Sequence, residues 1–345
     1  MKDRYNREIN YLRISVTDRC NLRCVYCMPA EGITYKQPKD ILSFEQIYKI
    51  VKASVSLGIE KIRITGGEPL VRKDLPLLIA QLKSIEGLKE ICLTTNGVYL
   101  GEYARALKKA GVDRINISLD SLIPEKFQRI TRGGSLETVL TGIDSALAAG
   151  FPSLKINMVL LNNFNTNEIL DFAKLTKGKP LEVRFIEYMP TGLHGFCGDG
   201  FNVNYSSYEE VFFSAQEVKD ICASLGELMP IESDKAATAK TFKIKGFLGS
   251  VGFISAISKP FCASCNKLRL TSDGRLRNCL HSAKSIDFKK ASDGAEEALS
   301  ALIKDAVYLK PQSHNLSDFS VKEKGLSLTP VGIDTENFSM CQIGG

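Results

Sequence analysis

Residues 11–27 read YLRISVTDRCNLRCVYC, and this stretch decides how the rest of the chain is parsed. Leu12, Ile14 and Val16 alternate with Arg13 and Ser15, the period of two that marks a β-strand. A polar turn with three cysteines follows, and then a longer segment with apolar residues three and four apart. The same order recurs six times over the first two thirds of the chain. It predicts strands at residues 11–16, 61–65, 90–95, 114–119, 154–159 and 182–187. Helices are predicted at 43–57, 74–85, 101–110, 136–149, 166–177 and 215–225, the first opened by Ser43 and Gln46 in capping-box spacing. Strands joined by helices predict an α/β fold with a parallel sheet and right-handed crossovers.

Polar residues two apart on the strands say how that sheet is shaped. Arg13 and Ser15, Arg63 and Thr65, Asn116 and Ser118, and Lys155 and Asn157 each share a face. Dry burial of so many polar groups is costly. A sheet curled around a wide lumen that holds a polar ligand removes the cost, so the expected fold is an incomplete (β/α)6 barrel of TIM type. From about Thr241 the alternation lapses into a Gly-rich run, a cysteine cluster, a short amphipathic helix at 295–304 and a polar tail. Two regions are expected, 1–240 and 241–345.

Composition agrees with a folded chain of this size. With 345 residues, 44% hydrophobic and 24% charged, it is neither disordered nor fibrous. No run approaches the roughly 18 apolar residues of a membrane span, and the N-terminus lacks the apolar core of a signal peptide, so a cytoplasmic location without membrane contact is expected. The net charge of +6 is mild. No RNA-recognition signature, Cys2His2 finger or block of Lys and Arg is present, which argues against nucleic acid. Ten cysteines in a long chain of this kind point to metal or redox chemistry.

Cys20, Cys24 and Cys27 lie within eight residues, directly after the first strand. In a barrel, active sites form at that end of the strands. A 4Fe-4S cube ordinarily takes four thiolates, and three leave one iron open to a small molecule. Zinc prefers paired Cys-x2-Cys and a fourth ligand. In this context the CxxxCxxC spacing resembles the radical S-adenosylmethionine superfamily. Cys262 and Cys265, with Cys279 after thirteen intervening residues, form a second set. Its spacing admits a zinc ribbon with His281 as fourth ligand, or a second site-differentiated cluster. Cys92, Cys197, Cys222 and Cys341 are scattered and receive no role.

The second strand closes on Gly66-Gly67-Glu68-Pro69, a string that resembles the superfamily motif contacting the amino group of S-adenosylmethionine. With Thr94-Thr-Asn-Gly97, Ser118-Leu-Asp120, Glu187-Tyr-Met-Pro190, the second cysteine set and the terminal Gln-Ile-Gly-Gly345, the chain from about Tyr5 to Gly345 is similar to the GTP 3′,8-cyclase family of molybdenum cofactor biosynthesis.

That resemblance implies a partial barrel closed by a C-terminal Fe-S-binding region. It implies two 4Fe-4S clusters, with Cys20, Cys24 and Cys27 holding the one that binds S-adenosylmethionine. Cys262, Cys265 and Cys279 would hold the one that binds GTP. Carried over by position, the S-adenosylmethionine contacts are Tyr26, Gly67, Ser118 and Met189. The GTP contacts are Arg13, Arg63, Thr94, Lys155, Lys267, Leu268 and Arg269. Arg184 is a candidate for positioning substrate, or a member of a barrel ion pair. The Gly344-Gly345 tail is expected to enter the active site. A homodimer, an electron donor and a downstream cyclic pyranopterin monophosphate synthase are the implied partners.

Two features depart from the family pattern: residues 193–213 exceed what that connection needs, and Cys341 precedes the tail without an assigned purpose. Two other readings remain. One is a peptide-modifying radical enzyme with auxiliary clusters, though such proteins usually carry more C-terminal cysteines. The other is a zinc-binding or cluster-sensing protein, for which the six-unit alternation would serve no end.

Overall fold

The structure of the chain, a computed structural model, describes residues 1–152, 154–189, 208–232, 234–282 and 284–314. Six strands follow one another as neighbours, each parallel to the next: β1 (Tyr11–Ser15), β2 (Lys61–Thr65), β3 (Glu90–Thr95), β4 (Arg114–Ser118), β5 (Leu154–Leu160) and β6 (Leu181–Glu187). The helices between them are α1 (Phe44–Ser56), α2 (Leu75–Lys83), α3 (Leu100–Ala110), α4 (Pro124–Thr131), α5 (Leu136–Ala148) and α6 (Ile169–Gly178). The α/β reading therefore holds. All six strands fall where the alternation places them.

One face of this sheet is apolar because alternate residues are. Leu12 and Ile14, Ile62 and Ile64, Ile91 and Leu93, Ile115 and Ile117, and Leu154 and Ile156 are fully buried in one core with the helices. Each such side chain contributes roughly 1.5–3 kcal/mol on leaving water. Local signals set the helix ends. Ser43 and Gln46 close a reciprocal capping box on α1, and α3 stops at Gly111, whose φ of 100° suits glycine. The helix α4 was not foreseen. It spans eight residues, opens on Pro124, and rests on Phe127 and Ile130, too few apolar positions to show a helical period.

The remaining described residues add strands to both edges of the parallel run. Beyond β6, α7 (Tyr208–Val211) and α8 (Ala215–Ala223) lead to β7 (Leu228–Pro230), β8 (Lys240–Ile244) and β9 (Ser250–Ile254). β9 pairs parallel with β6, while β7 and β8 extend the sheet antiparallel. The chain then crosses to the other edge, where β10 (Lys267–Leu270) pairs parallel with β1. β11 (Arg275–Arg277) and β12 (Ile286–Asp287) continue antiparallel from it. Two further helices, α9 (Lys289–Ser292) and α10 (Glu296–Tyr308), cover this end, α10 running four residues past the expected 304. No described helix is long and apolar enough to cross a membrane.

Candidate functional site

The polar face of the sheet is a set of aligned rows. Arg269, Arg13 and Arg63 sit side by side on β10, β1 and β2. Thr94, Asn116, Lys155 and Glu182 align across β3 to β6, and Asn157 stands beside Arg184. Arg63, Asn116, Lys155 and Glu182 are each less than a tenth exposed. These are the residues whose spacing predicted a polar lumen.

Hydrogen bonds join the rows. Arg63 donates Nε to the Tyr11 hydroxyl at 2.5 Å and Nη1 to Thr94 Oγ1 at 3.3 Å. Lys155 pairs with Glu182, and Arg184 Nε reaches the other oxygen of the same carboxylate at 2.5 Å. Arg184 is thus an ion-pair member on the face that carries the predicted substrate residues. Leu268 differs from its neighbours. Its side chain lies in the apolar core, 1% exposed, so any ligand contact there falls to its main chain.

The electrostatics at the β10–β1 edge favour an anion. Burial pulls Arg13 down to about 9, and the charges of Arg269 and Arg63 add to the effect. Lys267 falls to about 8, chiefly through burial, and Lys155 also to about 8 from burial and the charge of Arg184. Cations held this way gain from a polyanionic ligand that restores their preferred charge. Two buried acceptors, Asn116 Oδ1 and Asn157 Oδ1, have no donor among the described residues. A bound polar ligand would satisfy them.

The two cysteine sets lie at opposite ends of these rows. Cys20, Cys24 and Cys27 follow the carboxyl end of β1. Cys262 and Cys265 precede β10, which runs parallel to β1 with Lys267 beside Tyr11. Because β11 returns antiparallel, with Arg277 opposite Arg269, Cys279 comes back to the same end as Cys265. The length of β1 separates the two ends, roughly 16 Å for five residues at about 3.3 Å each.

The first loop is seated by backbone contacts. The N–H groups of Gly67 and Glu68 donate to the carbonyls of Thr17 and Arg19 at 2.7 and 2.8 Å, while Arg23 and Val25 donate to Thr131 and Ile130 at 3.0 Å. A Cβ on Gly67 would stand 2.3 Å from the carbonyl oxygen of Arg19, so the approach of the two loops requires glycine. Glu68 ties this turn to β3, accepting from Leu70 N, Thr95 Oγ1 and Asn96 N. Burial raises its carboxyl to about 7. Tyr26 donates to Asp120 at 2.6 Å, and Asp120, raised to about 6 by burial, also accepts from Val159 N. Ser118 and Met189 end β4 and follow β6 respectively, both half-buried.

The donor chemistry of both sets fits iron-sulfur clusters. Cys20 Sγ accepts from Leu22 N at 3.4 Å and Asn96 Nδ2 at 3.8 Å, bonds of the kind that stabilise a cluster thiolate. Burial, then the nearby Asp120 and Cys20, push the Cys24 thiol well up, an environment that calls for an adjacent cation. Burial also opposes ionisation of Cys265, but Lys310 and Lys267 outweigh it and hold that thiol low. Among the described residues no three His, Cys, Asp or Glu side chains converge closely enough for a single metal ion, including the Cys262, Cys265, Cys279 and His281 set a zinc ribbon would use.

Sequence reasoning missed Asp120 as the partner of Tyr26, Glu68 as a strut and Glu182 as the bridge between Lys155 and Arg184. The first two sit inside motifs that had been singled out, and the third lies two residues before Arg184 on its face of β6. Gly344, Gly345, Cys197, Cys341 and most of 193–213 lie outside the described residues.

Comparison with known proteins agrees with this geometry. Residues 14–176 match the Radical SAM superfamily, and residues 181–316 match Molybdenum Cofactor Synthesis C. A GTP 3′,8-cyclase of Alkaliphilus oremlandii is 46% identical over 332 residues, covering 96% of this chain and all of the relative. Those of Peptoclostridium acidaminophilum and Geobacter sulfurreducens are 48% and 44% identical, covering 92% and 96% of this chain and 94% and 98% of the relatives. Streptococcus suis SuiB bound to S-adenosylmethionine shares the fold at 15% identity with a TM-score of 0.53, over 91% of this chain and 69% of SuiB. With such identity over nearly its whole length, the chain belongs to the GTP 3′,8-cyclase family of the radical SAM superfamily.

Proposed function

We infer that this chain is a GTP 3′,8-cyclase that converts GTP to 3′,8-cyclo-7,8-dihydroguanosine 5′-triphosphate in molybdenum cofactor biosynthesis. The observation that carries the reading is the row of Arg269, Arg13 and Arg63 spanning the sheet between two opposed sets of three cysteines. We read residues 1–240 as an incomplete six-unit barrel and 241–345 as the region that closes it. Cys20, Cys24 and Cys27 would hold a cluster that binds S-adenosylmethionine. Cys262, Cys265 and Cys279 would hold a second that binds GTP.

Cys20, Cys24 and Cys27 would hold the cluster that, when reduced, supplies with S-adenosylmethionine a 5′-deoxyadenosyl radical for hydrogen abstraction at C3′ of GTP. Closure on C8 of guanine would be completed by one electron and one proton, the electron coming from the donor this reading implies. The protein's part is placement and shielding. Arg13, Arg63, Lys155, Lys267 and Arg269 bring the cations a triphosphate needs, with Thr94 fixed beside Arg63 by its hydrogen bond. Arg184, held by Glu182, orients the substrate from β6. Tyr26, Gly67, Ser118 and Met189 would contact S-adenosylmethionine, Tyr26 being held by its hydrogen bond to Asp120. The family resemblance implies that Gly344 and Gly345, which lie outside the described residues, would take part in the reaction. A cytoplasmic homodimer served by an electron donor, passing product to cyclic pyranopterin monophosphate synthase, is the setting this reading implies.

Anaerobic incubation of the reduced, reconstituted protein with S-adenosylmethionine and GTP tests it by mass analysis. Equal formation of 5′-deoxyadenosine and the cyclised triphosphate is expected. Formation of 5′-deoxyadenosine with some other substrate and not with GTP would overturn the assignment.

A further inference from the structure

The first residues of the chain reach the second cysteine set. Asp3 to Arg7 form a tight turn: Asp3 Oδ1 accepts from the backbone of Tyr5 at 3.0 Å and of Arg7 at 2.9 Å, with Asn6 at the left-handed φ of 63° that asparagine tolerates. The turn presents Arg7 with Nε bonded to Asp3 Oδ2 at 2.7 Å and the Tyr5 ring against the guanidinium. Nη2 also lies 2.7 Å from Asp3 Oδ2, and the rest of the fork is spent on main-chain carbonyls. Nη1 donates to the carbonyls of Cys262 at 2.8 Å and Gln312 at 3.0 Å, and Nη2 to that of Pro311 at 2.6 Å.

A second buried cation completes the arrangement. Lys310, 2% exposed, donates Nζ to the carbonyl of Lys267 at 2.9 Å and of Asn278 at 2.6 Å. Those carbonyls lie two residues after Cys265 and one before Cys279. Each of the three cysteines therefore has its own carbonyl, or one within two residues, pinned by a buried cation. Neither side chain bonds to the loop of Cys20, Cys24 and Cys27.

We propose that Arg7 and Lys310 are the positioning residues of the second cysteine set, an inference that rests on reading Cys262, Cys265 and Cys279 as cluster ligands. Arg7 carries the constraint across 255 residues of chain, so the extreme N-terminus sets the geometry of a site near the C-terminus. An arginine fork that spans three carbonyls ties two backbone segments, at 262 and at 311–312, to its own N-terminal turn, which a single lysine donor head does less rigidly.

The full chain, reconstituted anaerobically, provides the test with Arg7→Met, Arg7→Lys and Lys310→Met. Amide exchange in the metal-free protein should accelerate about tenfold or more at residues 260–266 and 276–280, with β3 and β4 unchanged. Iron should fall from about eight toward about four per chain, since each cluster holds four. The GTP-dependent change in the reduced electron paramagnetic resonance spectrum should disappear while S-adenosylmethionine cleavage persists. Arg7→Lys should recover part of each loss, and it carries the comparison should Arg7→Met not fold. Wild-type exchange and a wild-type GTP-dependent spectrum in both Arg7→Lys and Lys310→Met would overturn the proposal. A wild-type chain with about four irons, but faster exchange in the variants, would overturn the ligand reading and uphold the positioning one.

Discussion

The two cysteine loops differ in the sign of the charge buried beside them. Around Cys20, Cys24 and Cys27 the buried charged groups are carboxylates, Asp120 bonded to Tyr26 and Glu68 bracing the Gly66-Gly67 turn, while the half-buried Arg132 donates to the carbonyls of Arg23 and Met28. Around Cys262, Cys265 and Cys279 they are cations: Arg7, Lys310 and Lys267, with Arg13 and Arg269 beyond. The first loop docks onto neighbouring backbone through amide bonds supplemented by Arg132, whereas the second is gathered from three separate stretches of chain by Arg7 and Lys310. Such a gradient suits a sulfonium-bearing molecule at one end of the face and a triphosphate at the other.

The sharpest way to break this comparison is to remove one thiol from each set. Cys24→Ala should reduce 5′-deoxyadenosine formation to background, while Cys265→Ala should retain cleavage of S-adenosylmethionine and lose cyclisation, both read by chromatography. Equal loss of both activities in both variants would dissolve the distinction between the ends.

A pH series probes the acidic end. Glu68 has a carboxyl raised to about 7 in the folded protein, above its ordinary 4.5. Between those values the folded metal-free protein keeps a proton that the unfolded chain releases, so raising the pH favours unfolding. Relative to Glu68→Gln, wild-type stability from denaturant titration should fall by on the order of 3 kcal/mol across that window and level off above it. A flat difference would mean that the three donors to Glu68 keep it ionised throughout.

At the basic end, Arg13→Met or Arg269→Met should each raise the KM for GTP roughly tenfold to 150-fold, the equivalent of a charged hydrogen bond worth ~1.5–3 kcal/mol. S-adenosylmethionine affinity should hold steady. As a control outside both ends, Asp171→Asn at the exposed Lys174 pair should change stability by less than about 0.5 kcal/mol in thermal unfolding.

How much of this could be read from sequence depended on the range of the interaction. Strands β1 to β6 and the helices between them other than α4 announce themselves because period and capping are local, as Ser43 and Gln46 illustrate. The polar rows were visible as residues two apart, but their lateral alignment needed the register that sets Arg13 beside both Arg63 and Arg269. The placement of β9 and β10 on opposite edges has no local signature. Arg7 carries none either, since nothing in DRYNR reveals a target 255 residues away. Glu68 was singled out for its motif, yet its bonds to Thr95 and Asn96 depend on β2 lying next to β3.

The pairing of β10 with β1 also has a consequence for synthesis. The outer edge of β1 remains an open template until residues 267–270 emerge, roughly 250 residues later, on the order of 13–50 s of translation at ~5–20 residues per second. During that interval a nascent chain exposes unpaired N–H and C=O groups beside an apolar strand, the circumstance in which edge-to-edge aggregation begins. Shortened chains that end before β10 should therefore be recovered mainly as insoluble or chaperone-bound material, even though every strand of the six-unit run is present.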